Sequence, residues 1–417
     1  MADNKNLTVS QNAFYNTVGT IMYCLCQWIV SALLVVHLSP ADISVKNTGM
    51  LQLAISVTNI FYAVAIYNMR TYQVSDVNNN YSSGEYVASR IITCGLAFIL
   101  CIAYSFLMNY SQKVIICITI YMLFKIHEAF SDVLHGIDQK NYRMDYVGTS
   151  YIIRGIIMAV SFGVCLWLTK DILIAISVMT VTTSTFMLFY DIPHASRFGP
   201  IKPTFGKKTM ISLLGNCLPA VIALAVFTAV ANVPRQILEK SYGEESLGFY
   251  ATIATPIMVV QVLATGIFNP ILTELSVLYS NGKSRTFLKL ILKCLAILAV
   301  ISTAVYTLIP LIGELAVGIV FGEVFVPYTF LMYGIMGCTV MYTVCWLFTS
   351  VMIIMRMLKN SMIISFISFA IMAVTATTFV QFFKENGVSF CIITGYIVFT
   401  VLSAFVILRK IKNTTVL

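Results

Sequence analysis

Twelve separate stretches of this 417-residue chain stay apolar for about twenty residues or more, and that repetition leaves one class of fold open. A helix rises about 1.5 Å per residue, so roughly 20 apolar residues cross a hydrocarbon layer of about 30 Å. In lipid every backbone N–H and C=O must be bonded internally, which only helices and closed barrels achieve. Runs this long, without the two-residue alternation of a barrel strand, are helices. The chain is therefore expected to be an all-α polytopic membrane protein with about 12 transmembrane helices. They are read at 14–38, 48–68, 91–109, 114–134, 148–168, 171–190, 210–232, 248–277, 287–309, 327–350, 360–381 and 388–408. Only 10% of the residues are charged, against about 25% in soluble domains, which excludes a soluble fold. The eighth run, the longest, contains Pro256 and Pro270 and is expected to kink or to overhang the membrane. The segment 310–326 reads as an interfacial helix capping the ninth run.

The basic residues report orientation. With the N-terminus in the cytoplasm, eighteen of the 26 Lys and Arg fall on that side and six outside, leaving Lys125 and Arg154 inside the membrane. The bias places both termini in the cytoplasm. These cations sit at the ends of apolar runs, with no compact stripe of interleaved aromatics. The net charge of +9 therefore marks topology and argues against nucleic-acid binding. The first residues are polar and lack a small-residue cleavage site behind a short apolar core, so the first run is expected to remain as a spanning helix. Nearly all eleven cysteines lie in apolar runs, where free cysteine acts as a small hydrophobe, and neither a disulfide framework nor structural zinc is expected. The loop 191–209 carries three prolines, two glycines and four basic residues. It divides the chain into two six-helix lobes, 1–200 and 201–417, expected to surround a central cavity and to be related by an axis along the membrane normal.

The costly residues lie inside the runs. A charge at mid-membrane costs roughly 3 kcal/mol or more, so such groups pair or face water. Lys125, Glu128 and Asp132 are three and four apart and share one helix face, which Tyr121 and His135 extend. Arg154 lies at a similar depth in the next run, so a Glu128–Arg154 or Asp132–Arg154 pair fits antiparallel neighbours. Two readings stand for this cluster: an ion pair that pins packed helices, or a polar surface lining a cavity. His127 lies about 100° off the stripe, either a proton relay or a histidine satisfied by its neighbours. Gln139, Arg143 and Asp145 follow Gly136 at the inner end of the fourth run, as an inner gate or as a capped turn. Arg70, after the second run, is a phosphate contact or a topology anchor. Arg235 is read as snorkelling toward lipid head groups. No GxxxxGK[ST] phosphate loop, HExxH or Cys/His ligand set is present, so neither ATP hydrolysis by this chain nor a metal or other cofactor is expected. The outer loops are too short for an extracytoplasmic catalytic domain, which points to a transporter and away from an enzyme.

Several segments together resemble one family. They are QNAFYNTVGTI entering the first run, RTYQVSD after the second, HGIDQKNYRMD after the fourth, ILEKSYGEESLGFYATIATP between the seventh and eighth, and VPYTFLMY opening the tenth. The chain resembles, diffusely but over nearly its whole length, the bacterial polysaccharide flippases. These are the Wzx-type O-antigen and capsule repeat-unit translocases of the multidrug/oligosaccharidyl-lipid/polysaccharide exporter superfamily. The resemblance implies alternating access between two lobes in the bacterial inner (plasma) membrane. It implies flipping of an undecaprenyl-diphosphate oligosaccharide from the inner to the outer leaflet, for lipopolysaccharide or capsule assembly. A polysaccharide polymerase and glycosyltransferases would be functional associates, with membrane lipids around the protein and H+ or Na+ as coupling ion. Lys125, Arg154 and Arg70 would then be the cationic cavity residues, with Glu128, Asp132 and His127 in charge pairing or ion coupling. The family often carries a basic side chain in the seventh or eighth run, where this chain offers only Arg235. A cation-coupled multidrug antiporter of the same superfamily is the alternative, and it would need cavity acids free of basic partners.

Overall fold

The computed structural model describes residues 7–76 and 80–415, and every regular element among them is helical. Helix α1 (Val9–Trp28) starts at a reciprocal cap between Thr8 and Gln11 and continues through a π-helical turn, Ile29–Leu34, to Leu38. Helix α2 (Ser44–Ile66) ends in two left-handed residues, Tyr67 at φ 51° and Asn68 at φ 49°, which redirect the chain into the short α3 (Met69–Ser75). Next come α4 (Ser83–Leu107), α5 (Gln112–Lys140), α6 (Met144–Thr169) and α7 (Ile172–Phe186). A second π turn, Met187–Asp191, carries α7 on through helical turns to Phe198. Helices α8 (Lys207–Ser280), α9 (Ser284–Phe321), α10 (Leu331–Ile354), α11 (Leu358–Phe383) and α12 (Glu385–Thr415) complete the chain. It separates into two compact units, one ending at Ala225 and one beginning at Val226.

Eleven helices among the described residues are long and apolar enough to span a membrane, and they account for the twelve runs approximately. The seventh and eighth runs both fall in α8. The break there is Gly243, at φ 85° and ψ 174°, so it lies between the two runs and not at either proline. Glycine takes a positive φ without a Cβ penalty. The segment after Pro310 is not a separate interfacial helix. Helix α9 runs through Pro310 to Phe321, exposing Leu311, Leu315 and Ile319 by 75%, 65% and 73%. An apolar stripe facing lipid favours continued helix, because any other backbone would leave polar groups unbonded.

In the N-terminal unit α6 packs chiefly on α1 and α7, and α5 packs on α2, α4, α7 and α3. The α1–α6 seam is built on glycine. A Cβ at Gly19 would lie 2.6 Å from the Cα of Gly148, and one at Gly148 would lie 2.4 Å from the Tyr15 carbonyl oxygen. Small residues are what let helix backbones approach in a membrane. Gly148→Ala is therefore expected to cost about 1–3 kcal/mol. Gly95→Ala, where a Cβ meets nothing within 4 Å, is expected to be neutral. The fraction surviving heating in detergent, read by size-exclusion chromatography, compares the two. In the C-terminal unit α12 packs on α10 and α11, and the buried polar contacts are mostly thiol and hydroxyl bonds such as Cys338 Sγ to the Ser389 carbonyl at 3.4 Å. Arg235, part-exposed, lies 6.0 Å from the Tyr250 ring inside this unit, within cation–π range. All eleven cysteines are free.

Candidate functional site: a charged cavity in the N-terminal unit

Two left-handed residues and a cap place the outer part of the site. The turn at Tyr67 and Asn68 swings Arg70 back over α5. There its Nη1 donates to Asp132 Oδ1 at 3.4 Å and to the Tyr151 hydroxyl at 3.2 Å, and its Nε donates to Gln139 Oε1 at 2.9 Å. Burial disfavours the Arg70 charge, but Tyr151 and Asp132 outweigh it and raise the group above its ordinary value. The Ser82–Glu85 capping box starts α4 at Ser83, which sets Arg90 two turns inside the helix with no exposed surface. Arg90 donates Nη2 to Asp132 Oδ2 at 2.9 Å and Nη1 to the Ala65 carbonyl, near the end of α2, at 2.8 Å. Asp132 thus receives two arginines from two helices.

One turn away on α5, Lys125 Nζ lies 2.7 Å from Glu128 Oε2. The other carboxylate oxygen accepts from the Tyr23 hydroxyl and from Gln27 Nε2, at 3.0 Å for the amide. Lys125 also lies 5.1 Å from the Tyr62 ring. These groups line a cavity of about 200 Å³, with Asp132, His135, Tyr151 and Arg154 on its other walls.

Arg154 differs from its neighbours. It is 1% exposed, and its Nε and Nη1 have no hydrogen-bond partner among the described residues. The Tyr23 and Tyr151 rings lie 5.2 and 5.4 Å from its Cζ, and the Asp191 and Glu128 carboxylates act on it through space without a hydrogen bond. The expected Glu128–Arg154 and Asp132–Arg154 pairs do not form. Helix α6 packs on α1 and α7 more than on α5, so both carboxylates are taken by cations of other origin. Cation–π contacts offset only part of the cost of a buried charge, which reaches several kcal/mol.

The remaining sequence candidates are distributed. His127 does not line the cavity; its Nδ1 bonds the Phe124 carbonyl of its own helix at 2.9 Å. Arg143 chelates Asp145 through Nε and Nη2 at 2.9 and 2.8 Å and lies 4.0 Å from the Tyr146 ring. The Asp145 hydrogen bonds lift Arg143 above its ordinary value despite some burial. Gly136 sits within α5, and no turn occurs there; a Cβ at this position would lie 2.2 Å from Gln73 Oε1 of α3. Arg90 and Asp191 escaped the sequence reading, which put both in inner loops. The SSGE capping box marks the depth of Arg90. Asp191 is turned inward, 1% exposed, by a π turn that no local residue pattern announces.

Residues 37–330 match the family described as polysaccharide biosynthesis protein. The capsular polysaccharide biosynthesis protein CapF of Staphylococcus aureus is 24% identical over 317 residues, covering 75% of this chain and 77% of that one. Among solved structures, an inward-facing multidrug resistance MATE family transporter of the MOP superfamily aligns at a TM-score of 0.69 and 11% identity, over 97% of this chain and 95% of that one. A MOP superfamily transporter from Pyrococcus furiosus, described as having a binding pocket of reversed polarity, aligns at 0.61 and 13% identity, over 96% and 95%. At these identities the structural likeness establishes the fold.

Proposed function

This chain belongs to the polysaccharide biosynthesis protein family, and from that premise we propose that it flips a lipid-linked oligosaccharide from the inner to the outer leaflet. It is a multi-pass membrane transporter of the MOP superfamily. The observation that carries the finer reading is the Arg154 guanidinium, buried, unbonded among the described residues and facing a polar cavity. An undecaprenyl-diphosphate head group carries the opposite charge and would supply the missing hydrogen bonds, since guanidinium and phosphate pair strongly and often bidentately. The lipid tail would stay in hydrocarbon while the head group crosses at the cavity. Lys125 and Arg70, held by Glu128 and Asp132, would set the positive field without trapping the anion. The protein would work in the bacterial inner membrane beside a polymerase and glycosyltransferases, with both termini cytoplasmic.

The organic-cation antiporter is disfavoured by the same geometry, because both cavity-lining carboxylates are bonded to cations. A cell lacking the gene is expected to accumulate the lipid-linked oligosaccharide and to lose surface polymer. Restoration by the wild-type gene, with unchanged sensitivity to cationic dyes, supports the reading. Surface polymer unaffected by the deletion, together with dye export by the overproduced protein, overturns it.

A further inference from the structure

His135 lines the same cavity, is 1% exposed, and plays no part in the anion site as described. Its Nε2 lies 3.4 Å from Asp191 Oδ1 and 3.3 Å from Ser150 Oγ. Its Nδ1 and the second Asp191 oxygen have no partner among the described residues. Asp191 beside a neutral imidazole is offset through space by Arg154, so the three groups together carry no net charge. One proton on the imidazole makes the cluster net positive, and an anion seated at Arg154 offsets that charge.

We propose that His135, paired with Asp191, is a proton-binding site whose occupancy rises with that of an anion at Arg154. The inference rests on the anion reading of the cavity. The link between the two sites is Tyr151. Its ring lies 5.0 Å from the His135 ring and 5.4 Å from Arg154 Cζ. The two groups are thus within about 10 Å, a distance over which buried charges stay largely unscreened. Arg154 opposes a second positive charge on His135, and an anion seated on Arg154 weakens that opposition. Such coupling is reciprocal, so protonation of His135 tightens anion binding by the same factor.

The surrounding charges sharpen the claim. From the other helices His135 faces Asp191 on the α7 continuation, Arg154, Tyr151 and Ser150 on α6, and Arg70 on α3. Across the cavity stand Tyr23 on α1 and Tyr62 on α2, with Arg90 of α4 behind Asp132. On its own helix it shares the cavity with Lys125, Glu128 and Asp132, while Asp138 lies one turn onward and His127 faces away from the cavity. Lys125 balances Glu128, and Asp132 is shared by Arg70 and Arg90 from outside the lining, so both lining carboxylates are already paired. Arg154 is the cavity cation whose field an arriving anion changes most.

Nitrogen-15 spectra of imidazole-labelled protein test this directly. The chain has four histidines, and single His→Gln variants at the other three positions assign His135 by elimination even where His135→Gln fails to fold. In Arg154→Gln the His135 midpoint is expected to rise by about one pH unit, equivalent to tenfold tighter proton binding. Saturating undecaprenyl diphosphate in nanodiscs is expected to raise the wild-type midpoint in the same sense. A midpoint unmoved in Arg154→Gln overturns the proposal. A midpoint that rises in Arg154→Gln yet ignores the lipid supports the coupling of His135 to Arg154 and overturns the lipid-diphosphate reading of the cavity.

Discussion

Arg154→Gln is expected to abolish translocation while leaving the protein as stable as the wild type, or more so. Removing a guanidinium from a buried anion site loses a charge-assisted contact worth about 2–5 kcal/mol, a drop of thirtyfold or more in affinity for the diphosphate. In the empty protein the same change removes a charge that is 1% exposed, whose Nε and Nη1 have no hydrogen bond among the described residues and which Asp191 and Glu128 offset only through space. Uncompensated buried charge is destabilising, so its removal raises the melting temperature or leaves it alone. The combination separates this account from a purely architectural one. If Arg154 pinned helices together, stability would fall along with transport. Heating curves in detergent and surface-polymer assays on one set of variants measure both quantities. Arg154→Lys keeps the charge but not the fork of donors, and an intermediate loss is expected.

Asp132→Ala is expected to behave oppositely, with stability lost first. It strands Arg90, whose side chain has no exposed surface, and also releases Arg70. Breaking a buried pair from one side costs about 3–5 kcal/mol, and the low end applies because Asp132 keeps 21% of its side chain exposed. Replacing Asp132 and its fully buried partner, in Arg90→Met with Asp132→Leu, is expected to recover most of that loss, because Arg90 is no longer stranded and Arg70, 19% exposed, keeps Gln139 and Tyr151. The double variant should still fail to transport, since Arg70 loses its anchor at the cavity. Recovery of folded yield without recovery of polymer confirms that division of labour; no recovery of yield contradicts it.

The contrast between these two arginines shows what the sequence made legible. The Lys125, Glu128 and Asp132 stripe followed from three- and four-residue spacing within one helix, and the structure keeps those three residues together. Their partners were not legible, because an apolar run states where a helix is and not which helix lies beside it. Sequence adjacency suggested that Arg154 meets the stripe's acids; packing instead gave Glu128 to Lys125 and Asp132 to Arg90. Arg90 was within reach, since the Ser82–Glu85 cap places it well inside α4. Asp191 was not, because Pro193 two residues later reads as a loop, while the π turn before it keeps the chain helical and directs the carboxylate toward His135.

The helix positions were legible for a simpler reason: hydrocarbon allows no alternative to internally bonded backbone. At Pro310, where the helix continues past the end read for the ninth run, local residue preference alone misleads, whereas Gly243 falls between the seventh and eighth runs as read. Proline inside an apolar stretch is tolerated, and the break falls at a glycine in the polar turn.

The most direct measurement is translocation itself. Purified protein reconstituted into vesicles, with a labelled undecaprenyl-diphosphate oligosaccharide in one leaflet, should expose the sugar to an impermeant reagent on the other side. The account predicts exposure well above protein-free vesicles for the wild type and background exposure for Arg154→Gln. Equal exposure with wild-type protein and Arg154→Gln would contradict it.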